Sequence, residues 1–313
     1  MRSAHLPLFA ILVLLGAGWG ASQPLAKIAI SEGYRHFGLV FWQLTISAVV
    51  LGAITLLRGR GLPIGRPYLS LYAVIAVIGT VLPNAASYQA AVHLPAGIIS
   101  ILLSLVPMFA FPFALLLSVD RFSWARFGGL LLGLFGVVLI VAPETSLPDA
   151  AMAAFIPLAL IAPAFYALEA NVVAKWGTLS LDPVQLLFGA SVTGAILALP
   201  LAIGSGEWID PRGPWGAPDA ALVVSALIHT TVYCGYVWLV GRAGAVFAAQ
   251  VSYLVTVFGV FWAMLILGER YSGYVWGALA VMLVGLFLVQ PRTQEAGDAE
   301  PLAAAPGGGK DGA

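Results

Sequence analysis

Long apolar windows alternate with short polar or Gly/Pro breaks along almost the whole chain. Ten such windows, at roughly 7–27, 38–57, 68–91, 95–118, 124–142, 152–174, 184–203, 219–240, 244–267 and 273–290, run 18 to 24 residues each. A helix of that length crosses about 30 Å of hydrocarbon. The pattern therefore predicts an all-α membrane protein of ten transmembrane helices. Breaks as short as Leu94-Pro95 and Gly241-Arg242 predict tight helical hairpins. The first window imitates a signal peptide, with Arg2 and His5 before an apolar run from Leu6 and small residues at Gly20-Ala21-Ser22. The run continues to Lys27, however, long enough to span. Beyond Arg292 the sequence turns to Thr, Gln, Glu, Ala, Pro and Gly, with nothing to bury, and the tail 293–313 is expected to be a disordered cytoplasmic segment.

Composition agrees with that pattern. Of 313 residues, 61% are hydrophobic and only 9% charged, with a mean hydropathy of +0.98. A soluble chain carries about 25% charged residues, because its surface faces water. The 14 basic and 14 acidic residues cancel, so no net field draws in nucleic acid. A single cysteine, Cys234, excludes an intrachain disulfide and reads as a small buried hydrophobe. Where the basic residues fall sets the expected orientation. With the amino terminus inside, ten of the fourteen (Arg2, Arg58, Arg60, Arg66, Arg121, Arg126, Lys175, Arg242, Arg292 and Lys310) lie on the cytoplasmic side. Lys27, Arg35, Arg212 and Arg270 lie outside, and the outer segment 143–149 carries Glu144 and Asp149 without a base. Both termini are then cytoplasmic, in a plasma (inner) membrane.

A shift of 149 positions aligns the chain with itself. Asp120-Arg121-Phe122-Ser123 falls on Glu269-Arg270-Tyr271-Ser272, Gly128 on Gly277, Gly136 on Gly285, and His93 on Arg242. Apolar bias alone does not align rare charges. The alignment predicts two diverged five-helix repeats, 1–145 and 146–292. Five is odd, so the second copy must lie upside down, an arrangement from which many secondary transporters build two alternating states.

The motifs carried by this frame resemble those of EamA-type transporters of the drug/metabolite transporter superfamily. The first window holds Trp19-Gly20-Ala21-Ser22-Gln23-Pro24-Leu25-Ala26-Lys27, similar to the family's opening Trp-Gly-small-polar…Lys pattern. The third and fourth read Ala85-Ala86-Ser87-Tyr88-Gln89-Ala90-Ala91, Leu94-Pro95-Ala96-Gly97 and Leu105-Val106-Pro107. Leu267-Gly268-Glu269-Arg270 matches the family's Leu-Gly-Glu-Arg string, drifted in the first half to Val119-Asp120-Arg121, while Thr256 stands where Pro107 has its counterpart. The resemblance covers about residues 8–290. It implies a ten-helix fold and transport of small metabolites, often export, without naming a substrate.

Polar side chains within the windows need a reason, since a charge at the bilayer centre costs about 2.5 kcal/mol or more. Glu169, in Phe165-Tyr166-Ala167-Leu168-Glu169-Ala170-Asn171, lies six residues (about 9 Å) inward from Lys175. It is a candidate to bind a proton or a cationic substrate group; the competing reading is a structural pair with Lys175. His229, Tyr233 and Tyr236 share one helix face and align with Thr80, Asn84 and Ser87, so two related helices each carry a polar stripe suited to a cavity wall or to interhelical hydrogen bonds. Trp19, Gln23, Tyr88, Tyr166, Gln250 and Tyr253 complete the expected substrate-binding set, with Gln89, Ser100 and Ser104 as further candidates. His229 alone, lacking a second ligand nearby, does not suggest a metal. Pro83, Pro95, Pro107, Pro112, Pro157 and Pro163 are candidate bends, and glycines 128, 129, 133, 136, 277 and 285 candidate close-packing points.

There is no phosphate-binding Gly-x-x-x-x-Gly-Lys-Ser/Thr loop, no His-Glu-x-x-His and no Gly-x-Ser-x-Gly. The expectation is a permease that is not an enzyme, needs no cofactor and works by alternating access on a small-molecule substrate such as an amino acid or related compound. A solute, proton or other ion gradient would supply the energy. The alternative is a membrane-embedded enzyme or lipid-handling protein using Glu169 and His229.

Overall fold

The computed structural model of the chain describes residues 5–143, 146–244, 247–248 and 250–289. Every regular element among them is helical. Eight helices are long and apolar enough to cross a membrane: α1 (Pro7–Ala29), α2 (His36–Leu57), α3 (Arg66–His93), α4 (Ala96–Leu116), α5 (Trp124–Val141), α6 (Ala150–Trp176), α7 (Pro183–Gly204) and α8 (Ala217–Ala243). Two shorter apolar helices follow, α9 (Val251–Leu267) and α10 (Gly273–Val289). The apolar windows fall on these helices within three residues at either end, except that α9 occupies only the part of the window 244–267 from Val251 onward. The tail from 293, with Arg2, Glu144, Arg292 and Lys310 of the charge distribution, lies outside the described residues.

Packing repeats itself when each helix is exchanged for the one five places along. The α1–α9 contact has its counterpart in α6–α4, α1–α8 in α6–α3, and α2–α8 in α7–α3. Three contacts, α2–α7, α4–α9 and α5–α10, join counterparts directly. Each of these runs antiparallel. At the start of α2, the Phe37 amide donates to Glu207 Oε2 beyond the end of α7 (2.8 Å), while past the end of α2 Arg60 pairs with Asp182, the N-cap of α7, at 2.5 Å. The Ala96 and Gly97 amides at the start of α4 donate to the Glu269 carboxylate beyond the end of α9, at 2.8 and 3.1 Å. Along α5 and α10, Gly129 lies against Gly285 and Val289, and Gly136 against Ala278 and Met282.

Contacts between connections sort them onto two ends of the bundle. Segments 58–65 and 177–182 meet through Arg60–Asp182, and Lys175 Nζ reaches the Leu117 carbonyl at 2.9 Å, which places segment 117–123 on the same end. At the other end, Lys27 Nζ donates to the Ala91 and Leu94 carbonyls (2.5 and 3.0 Å), and Tyr34 Oη to Asp219 (2.7 Å). Ser272 Oγ there donates to the Ser146 carbonyl at 3.3 Å.

Small residues set the closest approach. An ideal Cβ on Gly129 would stand 2.6 Å from the Gly285 carbonyl oxygen and also strike Val289. Gly128 and Gly277, the pair the 149-residue shift aligns, behave differently. A Cβ on Gly128 meets nothing within 4 Å, and one on Gly277 makes only an ordinary 4.0 Å contact with Leu139, so neither permits close packing. Gly129→Leu is therefore expected to destabilise the bundle by about 1–3 kcal/mol. Gly128→Leu should be near neutral. Thermal unfolding of the detergent-solubilised proteins checks this, and equal midpoints would contradict it.

Candidate functional site: a polar cavity at the helix breaks

Three helices are irregular at one depth, and proline accounts for it. A proline has no amide for the i−4 carbonyl and its ring crowds that turn. Pro24 follows a break in α1, where Gly20 ends one segment and Ser22 begins the next. Pro83 follows a π-helical turn in α3, Val77–Val81, closed by the i→i−5 bond from the Leu82 amide to the Val77 carbonyl. Pro107 follows a break in α4 at Ser104-Leu105. The carbonyls deprived of their usual partner belong to Gly20, Gly79 and Leu103. Around these breaks lies a cavity of about 380 Å³. Pro95 instead precedes the first residue of α4, and Pro157 stands in the first α-helical turn of α6, after its 3₁₀ opening at Ala150–Phe155, positions where proline is tolerated.

Its wall draws on both halves of the sequence. From α1 come Trp19, Ser22, Gln23 and Ala26; from α3 Gly79, Thr80, Asn84, Ser87 and Tyr88; from α6 Tyr166 and Glu169; from α8 Ser225, His229 and Tyr233. Leu103, Val106 and Pro107 on α4 face Ser252, Val255 and Thr256 on α9, which are the same positions displaced by 149. Gln43 reaches in from α2. His229 carries exposed surface although protein surrounds it, because that surface faces the cavity.

One side of the wall is a hydrogen-bonded chain. Tyr166 Oη donates to Asn84 Oδ1 (2.5 Å), Asn84 Nδ2 to Gln43 Oε1 (3.4 Å), and Tyr88 Oη to the same Gln43 oxygen (2.8 Å). Gln43 ties α2 to α3 here. On the other side, Trp19 Nε1, Ser22 Oγ and Gln23 Oε1 are buried without a hydrogen-bond partner. Buried polar groups are otherwise nearly always satisfied, so unpartnered atoms lining one cavity mark where a solute or water bonds. The Trp19 ring lies 6.3 Å from that of His229 and 6.4 Å from that of Tyr233, which gives this side an aromatic face.

Glu169 projects into the same space against the π turn. A Cβ built on Gly79 would stand 2.5 Å from its carboxylate carbon, so only glycine leaves the carboxylate this seat. Lys175, the expected structural partner, turns away to the Leu117 carbonyl and the Trp176 ring. Among the described residues no Lys, Arg or His forms an ion pair with Glu169.

Eight of the eleven residues expected to bind substrate thus meet at one cavity (Trp19, Gln23, Asn84, Tyr88, Tyr166, Glu169, His229 and Tyr233), joined there by Thr80, Ser87 and the further candidate Ser104. Three do not. Tyr236 stacks behind Trp19 at 5.4 Å, Gln250 is exposed outside the cavity, and Tyr253 packs against the apolar cluster around Ile98 and Leu102. The spacing of Gln250 and Tyr253 predicts a shared face, but Gln250 is the N-cap of α9, one residue before its first turn, and Ser252 takes the inward position. Gln89 is exposed, and Ser100 instead bonds the Ala96 carbonyl at 3.0 Å. Sequence reasoning missed Ser22, Gln43, Ser225 and Ser252. Ser225 extends the α8 stripe by one turn below His229, a signal that was available.

Gly79→Ala tests the seat. The carboxylate can swing aside, so the protein should fold with stability within about 1 kcal/mol of wild type. Binding of a solute in the cavity should nonetheless weaken about tenfold, measured as half-saturation on the purified protein. Unchanged half-saturation would show that the position of Glu169 does not matter.

Comparisons with known proteins point the same way. The model of the EamA-like transporter family matches the chain twice, at residues 7–142 and 154–290. The "Uncharacterized inner membrane transporter YedA" of Escherichia coli (strain K12) is 24% identical over 293 residues, which cover 91% of this chain and 90% of that protein. A "Probable terminal-alkyne amino-acid exporter" of Streptantibioticus cattleyicolor is 28% identical over 134 residues, 41% of this chain and 43% of that protein. A solved crystal structure shares the fold with a TM-score of 0.58 at 18% identity, over 92% of this chain and 98% of that one. With the family model spanning both halves of a multi-pass helical chain, this protein belongs to the EamA-like transporter family.

Proposed function

We propose that the protein is a secondary-active carrier, an exporter of small organic metabolites such as amino acids or related compounds, working by alternating access in an inner (plasma) membrane. In this reading all ten apolar helices cross the membrane as two five-helix halves, 1–145 and 146–292, of opposite orientation, with both termini cytoplasmic. The paired contacts, the antiparallel course of α2–α7, α4–α9 and α5–α10, and the double match of the family model support the inverted duplication. Two packings of such halves, exchanged by rocking, would open one site to either side in turn.

The observation that carries the reading is a single polar cavity, walled by counterpart residues of both halves, into which an unpaired carboxylate projects. Glu169 binds a proton or a cationic substrate group there, while Trp19, Gln23, Tyr88, His229 and Tyr233 contact the solute. An enzyme or lipid-handling protein would use the same Glu169 and His229. What favours the carrier is that the carboxylate seat is built at helix breaks, where bending is easiest.

Purified protein in liposomes should give saturable flux of an unmodified solute; chemical alteration of the solute would identify an enzyme instead. Glu169→Gln should abolish that flux or remove its response to a pH gradient, and an unchanged pH response would exclude Glu169 from coupling. Reporter fusions at residues 63 and 146 should report cytoplasm and exterior respectively. The reverse pattern would overturn the orientation.

A further inference from the structure

The cavity is one-sided in charge. Glu169 is the only formally charged side chain on its wall, with no Lys or Arg among the described residues that line it. Four of the wall's hydroxyl protons are already committed. Tyr166 and Tyr88 donate to Asn84 and Gln43, Ser104 Oγ donates to the Ile101 carbonyl (2.7 Å), and Thr256 Oγ1 to the Ser252 carbonyl (3.0 Å). Each leaves lone pairs, not protons, for a guest. Gln23 Oε1 adds an unpartnered acceptor.

A carboxylate on the solute would need the reverse. Broken helices can hold anions on exposed amides at a segment's amino end. Here the breaks keep their shorter-range bonds: Ala21 N to the Gly18 carbonyl (3.1 Å), Ser104 N to Ile101 (3.0 Å) and Leu105 N to Leu102 (3.1 Å). Those amides are not available. The unpartnered Trp19 Nε1 and Ser22 Oγ are neutral donors, and among the described residues no Lys or Arg lines the cavity beside them to offset the repulsion between an anion and Glu169. An ammonium group supplies three donors and a positive charge, and the Trp19, Tyr88 and Tyr233 rings offer faces that attract a cation and stack a planar body.

Resting on the carrier reading, we propose that this site selects a small amphipathic monocation: an amine on an aromatic or planar body, lacking a free carboxylate. The ammonium sits on Glu169 between α3 and α6, and the body lies along Trp19 and Tyr233. The volume of about 380 Å³ is at the small end of ligand cavities and suits an arylalkylamine. Within the broad class of amino acids and related compounds, decarboxylated or carboxyl-masked members fit, and zwitterions do not.

Tyramine, tyrosine and 4-hydroxyphenylacetate share one ring and differ at neutral pH as monocation, zwitterion and anion. Binding of each to the purified protein in nanodiscs, by calorimetry, and counterflow of each in proteoliposomes give the test. Tyramine should bind at least tenfold more tightly than tyrosine, with no binding of the anion, and Glu169→Gln should remove the preference. The ranking on unaltered protein stands even if that variant misfolds. Tyrosine binding as well as tyramine, a preference that survives in a folded Glu169→Gln protein, or binding of none of the three would overturn the selectivity. Tyramine binding without counterflow would instead overturn the carrier reading and leave the selectivity in place.

Discussion

A polar group inside hydrocarbon must find a partner or face water, and this constraint organises the whole bundle. Lys27 closes the free carbonyls at the end of α3, Glu269 accepts the first amides of α4, and Glu207 accepts that of Phe37. Asn171 donates to the Ala110 and Ala167 carbonyls, tying α6 to α4. Ser47 and Thr230 bond each other across α2 and α8 at 2.9 Å. With these groups satisfied within the protein, four buried side-chain atoms stand out as unpartnered among the described residues: Tyr72 Oη lies apart, whereas Trp19 Nε1, Ser22 Oγ and Gln23 Oε1 line one cavity together with the unpaired Glu169. The same prolines that bend α1, α3 and α4 there also make room for them.

A packing pattern that repeats five helices along supplies the frame, and departures from it supply the chemistry. Counterpart residues Leu103 and Ser252, Val106 and Val255, Pro107 and Thr256, Thr80 and His229, Asn84 and Tyr233 all line the wall. Glu169 has Gly20 at the matching position, and Gly79, its seat, has Ile228. Nor does α8 repeat the π turn of α3. A site built symmetrically would bear two carboxylates that repel each other. One carboxylate, held by one half, gives a single occupant a defined orientation. The duplicated acid-Arg-aromatic-Ser string has likewise divided its roles: Asp120 pairs with Arg126, whereas Glu269 closes the start of α4 and accepts from Tyr271.

Much of this was legible in the sequence because lipid imposes long apolar runs and makes rare polar residues conspicuous. Helix positions followed from hydropathy, and most of the cavity wall from isolated polar residues such as Asn84, Glu169 and His229. What sequence could not supply was direction around a helix. Periodicity groups residues on a face but does not say which face is inward: Gln250 falls outside and Ser252 inside. Gly128 and Gly129 differ by one position, yet only the second touches α10, and no pattern in an evenly apolar helix marks which. The pairing of Gly79 with Glu169 joins residues 90 positions apart in sequence and is visible only once α3 and α6 pack together.

The central physical claim is that the space between the halves is an aqueous cavity and not a dry core. With Cys234 replaced by serine, Ser87→Cys and Ser252→Cys place one thiol on each half of its wall, while Val284→Cys and Leu265→Cys place thiols on the bundle's outer face, where those side chains are 54% and 63% exposed. Reaction with a water-soluble, membrane-impermeant thiol reagent in native membranes should modify the first two and spare the others, because only cavity positions meet water. Protection of Ser87→Cys and Ser252→Cys to the level of the outer-face thiols would contradict a water-filled site and the transport reading that depends on it.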